Sequence, residues 1–267
     1  EFRRVLFRSQ PGYEFPGRRG VSATGLGRLR REFFNSDDQL LTLGFNGPLT
    51  PVAGPGSEGG WELARSFGAW IVLHNVALPG MLTGNPDLMG PDVELIHCVQ
   101  WNNQAWDIAA AKGIHVSLAF PIEMQMRHGM PPIQQCLDRK IVPSLSTDVE
   151  SNMTADMFSV MRSAFTLQRA LLNERYINKE PNLPQLASSE QVLEWATMAG
   201  ARAAHLDHKV GSLTPGKEAD VIVHDRAVPK AILELARRDA VRVPVKGELY
   251  DGATDVLLAE AKEIGRA

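Results

Sequence analysis

Apolar residues along the chain gather into short β-branched or leucine-rich runs, separated by stretches of helical spacing or by glycine and proline. The runs are LLTLGF from Leu40 to Phe45, AWIVLH from Ala69 to His74, VELIHCV from Val93 to Val99, IHVSLAF from Ile114 to Phe120 and IVPSLSTD from Ile141 to Asp148. Bounded runs of this length read as strands buried on both faces. WELARSFG, NQAWDIAAAKG and PIQQCLDRK precede the second, fourth and fifth runs and end in Gly or Lys, a usual way to stop a helix before a strand. The alternation predicts βαβα units and a parallel sheet.

Past Asp148 the pattern changes. Thr154 to Leu172 has the spacing of a long amphipathic helix, and NERYINKEPNLPQ reads as a polar, proline-broken connection. A second helix is expected from Ser188, whose hydroxyl and Gln191 form a capping box, with Ala196, Gly200 and Ala203 small enough for close packing. Beyond Leu206, GSLTPGKEADVIVHD and AVRVPVKGELYDG read as short strands with Pro-Gly and Gly turns. The fold class is therefore α/β. Five strands stand where a closed (β/α)₈ barrel has eight in about 250 residues. The expectation is an incomplete TIM-type barrel, about strands 4 to 8, over residues 10–206, then a small β-sandwich segment and terminal helix over 207–267, with the missing strands lying before Leu40.

The opening EFRRVLFRS fits that expectation. Back-translated with ordinary codons, it reproduces in frame the tail of a sequencing-library adapter. Residues 1–9 are accordingly expected to be adapter-derived and to make no packed contact. The alternative is a basic amphipathic arm in which Arg3, Arg4 and Arg8 interleave with Val5, Leu6 and Phe7.

Composition narrows the chemistry. With 267 residues, 44% of them hydrophobic, a large core is within reach. A net charge of −3 offers no basic surface excess, so nucleic acid is not an expected partner. No apolar run is long enough to span a membrane. Cys98 and Cys136 lie far apart without CxxC spacing, which argues against a disulfide scaffold or zinc cluster and suits a reducing cytoplasm.

Reactive side chains of α/β barrels cluster at the C-terminal ends of the strands. Three runs here end in His74, His97 and Asp148. Singly, each is better explained as a hydrogen-bonded histidine or a helix cap; together they suggest a site. LIHCVQW, EMQMRHGMPPI, LSTDVESNMTADMFSVMRSAFTLQR, ATMAGARAAHL and GSLTPGKEADVIVHD together resemble the C-terminal two-thirds of an amidohydrolase-superfamily hydrolase, in its cytosine-deaminase-like and chlorohydrolase-like branch.

The resemblance implies one divalent metal ion, zinc or alternatively iron. His74 would be a metal ligand. Asp148 would bind the metal and take a proton from the attacking water, and His97 would hydrogen-bond the nucleophile or polarise the substrate. Such a site lowers the pKa of water to about 7. Two departures stand out. The family's HxH pair is absent from the chain, and the position of its proton-shuttling Glu, three residues after His74, holds Ala77. Glu123 is a substitute acid or substrate contact, with a solvated loop carboxylate as the equal alternative. His128 is a candidate substrate contact, and Met124 and Met126 line a pocket or core. His115, His205, His208 and His224 read as structural, and Cys98 as core. The expected function is metal-dependent hydrolysis of a C–N bond in a heterocyclic or amide-like small molecule by a full-length parent, expected to be a homo-oligomer. The fragment itself is expected to be inactive. The alternatives are hydrolytic dehalogenation and a non-catalytic remnant.

Overall fold

The structure is a computed structural model that describes residues 6–9, 23–36, 38–39, 42–46, 60–149, 151–152 and 156–218. Its chain order is β1 (Leu6–Ser9), α1 (Ala23–Phe33), β2 (Leu43–Asn46), α2 (Gly60–Ser66), β3 (Trp70–Asn75), α3 (Pro79–Gly84), β4 (Val93–His97), α4 (Asn103–Lys112) and β5 (His115–Leu118), then α5 (Ile122–Gln125), α6 (Ile133–Asp138), β6 (Ser144–Leu145), α7 (Met157–Ile177), α8 (Ser189–Ala196) and α9 (Met198–Ala203). All five strands expected from the apolar runs form, with starts trimmed in all but β4 and with β2 and β3 running one residue further, to Asn46 and Asn75. The last is shortest because Pro143, just ahead of it, has no N–H for the ladder.

Contacts divide the chain into two compact units, Glu1–Ala164 and Phe165–Ala267. In the first, six strands pair in the order β1-β2-β3-β4-β5-β6, every pair parallel. Sequential order with right-handed crossovers puts every connecting helix on one face of the sheet, as in a singly wound barrel. Register separates the two faces. Phe45, Ile71, Leu73, Val93, Leu95, Val116, Leu118 and Leu145 share one, which is apolar and suits those helices until Asn75 and His97 bring polar groups to its last register position. Trp70, His74, Glu94, His115, Ser117 and Ser144 share the other. Trp61 of α2 and Trp106 of α4 are fully buried. The Asn102 side chain accepts the Ala105 N–H to start α4, and Gly113, left-handed at φ 68°, ends it before β5.

One expectation is corrected here. Residues 1–9 were to stand apart, yet Leu6–Ser9 pairs along Leu43–Asn46 as an edge strand. Edge pairing uses backbone N–H and C=O groups, so an open parallel edge accepts an extended segment whatever its side chains.

In the second unit α8 carries the expected capping box: Ser188 Oγ accepts the Gln191 N–H, and the Gln191 side chain takes the Ser188 N–H. Helix α7 runs on to Ile177 and takes in NERYI, which composition had assigned to the connection. Those residues are polar but good helix formers, and polarity alone does not separate a loop from an exposed helical turn. The connection that follows is tied down by buried Gln168, which donates to the Gln185 carbonyl and accepts the Ala187 N–H. The small-residue helix is corrected too. It breaks at Thr197, and among the described residues no atom from elsewhere in the chain comes within 4 Å of the place a Cβ of Gly200 would occupy, while Ala203 is buried. Most of the expected β-sandwich segment, His224 included, lies outside the described residues.

Candidate active site

Parallel strands end at the same edge of a sheet, and this brings the predicted residues together. His97, at the end of β4, is the centre. Its ring lies 5.4 Å from that of His74 at the end of β3, and 5.2 Å, edge-on, from that of His128 in the loop after α5. Nε2 of His97 is 4.0 Å from Asp148 Oδ2, and Nδ1 is 3.2 Å from Glu123 Oε1.

The backbone is bent to make this arrangement. At His97, φ is 75°, and Cys98 follows at 53°. The Cys98 N–H donates to the Ile96 carbonyl across this residue and to the Asn75 carbonyl on the neighbouring strand. A non-glycine residue at the centre of such a three-residue turn is strained, and strain of this kind collects at functional sites. Asp148 is likewise left-handed at φ 53°, with its N–H donating to Ser146 Oγ, so Ser-Thr-Asp forms a local turn that presents the carboxylate. Cys98 is fully buried and donates its thiol to the Leu95 carbonyl; burial pushes that thiol well above the ordinary range.

Glu123 is not a solvated loop residue, and that alternative is corrected: it is fully buried in the one-turn helix α5. Its Oε1 accepts the Ala119 N–H, while Oε2 has no hydrogen-bond partner among the described residues. A direct approach to a leaving group is not what this geometry offers, because the carboxylate sits behind the His97 ring. The His128 backbone is clamped on both sides: its N–H donates to the Glu123 carbonyl, and its own carbonyl accepts from Gln100. Its Nδ1 is buried without a hydrogen-bond partner among the described residues. Met124 is half-buried and Met126 exposed. Ala77 is exposed, with no carboxylate at its position.

His74 is exposed overall, but the enclosure of part of its side chain lowers its pKa, followed by the positive charge His97 would carry, with Asp148 acting the other way and His128 adding to the lowering. His74 is thus a neutral imidazole near neutrality, with a lone pair to offer. Among the described residues no three His, Cys, Asp or Glu side chains converge closely enough to hold a metal ion.

Two residues escaped the sequence reading. Buried Asn75 accepts the Leu78 N–H and the Trp101 indole N–H on Oδ1, fastening the loop after β3 to the loop after β4. An Asn three residues before a turn N–H is a recognisable Asx-type signal. Glu94, mid-strand in VELIH, is buried, and burial raises its carboxyl to about 7 against an opposing hydrogen bond with Ser117. A carboxylate inside an otherwise apolar run was its signal. His115 begins β5, at the edge opposite the site.

Residues 90–250 match the model of the amidohydrolase family. The chain belongs to that family. This amidohydrolase chain is 28% identical over 199 residues to a 5-methylthioadenosine/S-adenosylhomocysteine deaminase of Moorella thermoacetica, covering 70% of the chain and 44% of that protein. It is 34% identical over 183 residues to a 5'-deoxyadenosine deaminase of Methanosarcina mazei, covering 63% of the chain and 40% of that protein. The chain thus spans less than half the length of these curated relatives. Its fold resembles that of an adenosine deaminase from Xanthomonas campestris solved with bound zinc, at a TM-score of 0.62 and 21% identity, over 95% of the chain and 64% of that structure. It also resembles triazine hydrolase from Arthobacter aurescens, at 0.57 and 16%, over 91% and 59%. At these identities the structural likeness speaks for the fold alone: α/β, an incomplete barrel of the amidohydrolase type. Among the described residues no helix is long and apolar enough to cross a membrane.

Proposed function

We propose that the protein is a metal-dependent hydrolase of the deaminase type that cleaves a C–N bond in a heterocyclic or amide-like small molecule. The observation that carries this reading is the convergence of His74, His97 and Asp148 from the ends of β3, β4 and the β6 segment. The deaminase names of its relatives support the same bond type. A neutral imidazole at His74 and the Asp148 carboxylate suit a divalent ion such as zinc, the remaining donors coming from outside the described residues. When bound, such an ion supplies Lewis acidity and lowers the pKa of water to about 7.

The chain's own residues do the rest. Asp148 accepts the proton that the attacking water gives up, from a position that is 23% exposed and open to substrate. His97, almost entirely enclosed, holds the reacting oxygen by a hydrogen bond and keeps its place because the turn at φ 75° fixes it. His128, its ring edge-on to that of His97, is the candidate substrate contact. A second reading, hydrolytic removal of a halide-type leaving group, is favoured by one observation: Ala77 leaves the usual amine-protonating position empty, and a halide needs no proton.

The test is turnover by the full-length protein that carries this chain, assayed against adenine nucleosides and chloro-substituted triazines with ammonia and chloride release read separately. Asp148→Asn is expected to abolish metal content and turnover together, and His97→Gln to lower kcat by about 10²-fold or more with metal retained. Full metal content and turnover in Asp148→Asn would end the proposal.

A further inference from the structure

A carboxylate without exposure needs donors, because burying an unpaired charge is costly. Glu123 has no arginine or lysine partner among the described residues; its Oε1 instead faces the Ala119 N–H and His97 Nδ1. A backbone N–H can only donate, so Oε1 is an acceptor in the first of these contacts. Its second lone pair is what meets the imidazole, and the contact is satisfied when Nδ1 carries the hydrogen. A neutral imidazole has a single N–H. Asp148 competes for it at Nε2, but from 4.0 Å, beyond hydrogen-bond range, and from a partly exposed position, whereas Glu123 lies at 3.2 Å inside the protein. The Glu123 backbone is fixed, its N–H donating to the Ala119 carbonyl and its carbonyl accepting from His128, and the carboxylate itself is held by the Ala119 N–H in a fully buried position.

We infer that Glu123 is a positioning residue, whose buried carboxylate holds the His97 imidazole as the Nδ1–H tautomer and so turns an unprotonated Nε2 toward Asp148. An orienting carboxylate behind a reactive histidine fixes both ring angle and tautomer. With Nε2 bare, His97 receives hydrogen bonds on the substrate side. In the reaction proposed above, on which this consequence rests, it can accept from the attacking water or take up a proton for the leaving group in a site where position 77 has none to give. Glu123 therefore acts through His97 and does not touch substrate.

The tautomer is read directly, without turnover, from long-range proton–nitrogen correlation spectra of the ¹⁵N-labelled 267-residue chain at about pH 8, where an ordinary imidazole is neutral. The His97 signal is assigned by its loss in His97→Gln. The expected result is a protonated Nδ1 and a bare Nε2 in the natural chain, unchanged in Asp148→Asn. Glu123→Gln keeps that tautomer, since a carboxamide oxygen still accepts from Nδ1. Glu123→Met, of similar size but without an acceptor, moves the hydrogen to Nε2. A merely structural Glu123 would alter the amide spectrum in Glu123→Met and leave the tautomer alone, which overturns the inference. So does an Nε2–H or doubly protonated His97 in the natural chain. Where Glu123→Met fails to fold, the natural chain and Asp148→Asn decide the matter. Failure of the hydrolase assay leaves this measurement untouched, so the two readings fall separately.

Discussion

Glu94 lies mid-strand on the polar face of the sheet, 7% exposed, in register with His115 on β5 and hydrogen-bonded to Ser117. Replacing it with Gln keeps the shape and removes the titration. A carboxyl held at about 7 in the fold and at an ordinary 4.5 in the unfolded chain keeps its proton over a pH range where the unfolded chain has lost it. Stability from this group is therefore fully present below about 4.5, falls as pH rises, and is gone above about 7. At about 1.4 kcal/mol per pH unit the loss amounts to about 3 kcal/mol. The assay is urea unfolding of the natural chain and Glu94→Gln from about pH 4 to pH 8, taking differences so that every other titrating group cancels. The two are expected to coincide near pH 4. Near pH 8 the variant should be more stable by about 3 kcal/mol, a midpoint shift of about 1 M for a urea slope near 3 kcal/mol/M. Parallel curves across the whole range would show that water or a nearby cation solvates the ionised carboxylate, and the burial argument would fall.

Asn75→Ala unfastens the Leu78 N–H and leaves the Trp101 indole N–H buried without its acceptor; a loss of about 2 kcal/mol is expected, with altered Trp101 fluorescence, and unchanged emission would refute the clamp. In Gly129→Ala the new Cβ would lie 2.8 Å from Val99 Cγ1 at φ 140°, so a cost of about 1–3 kcal/mol and a displaced His128 ring signal are expected, whereas wild-type unfolding would count against the strain. By imidazole titration, His74 should show a midpoint below the ordinary 6.5, and Asp148→Asn should push it lower still by removing the one influence that raises it. A rise in that variant would contradict the assigned causes.

The strand runs and the Ser188–Gln191 box could be read in the sequence because each is a local pattern: a few neighbouring residues decide burial or capping. His74, His97 and Asp148 could be read for a different reason, since parallel strands place their last residues along one edge whatever lies between them. The role of Glu123 could not. EMQMRHG gives no sign that the chain turns back after β5 and lays that carboxylate against Nδ1 of a histidine 26 residues earlier. Glu94 and Asn75 carried visible signals that mattered only once register and loop packing were known. The pairing of Leu6–Ser9 was invisible in principle, because backbone hydrogen bonding to an open edge leaves no imprint on side-chain choice.

The left-handed pair at His97 and Cys98 restricts how this site can be remodelled. Here the ring is aimed by the main chain, so residue choice at position 98 helps to steer the neighbouring imidazole. Valine, isoleucine and threonine disfavour that backbone region, while glycine and asparagine enter it readily. A library built to change the leaving group should therefore leave Cys98 alone, however inert a buried thiol looks, and spend its diversity at Ala77, where the side chain is exposed and no buried packing constrains the choice.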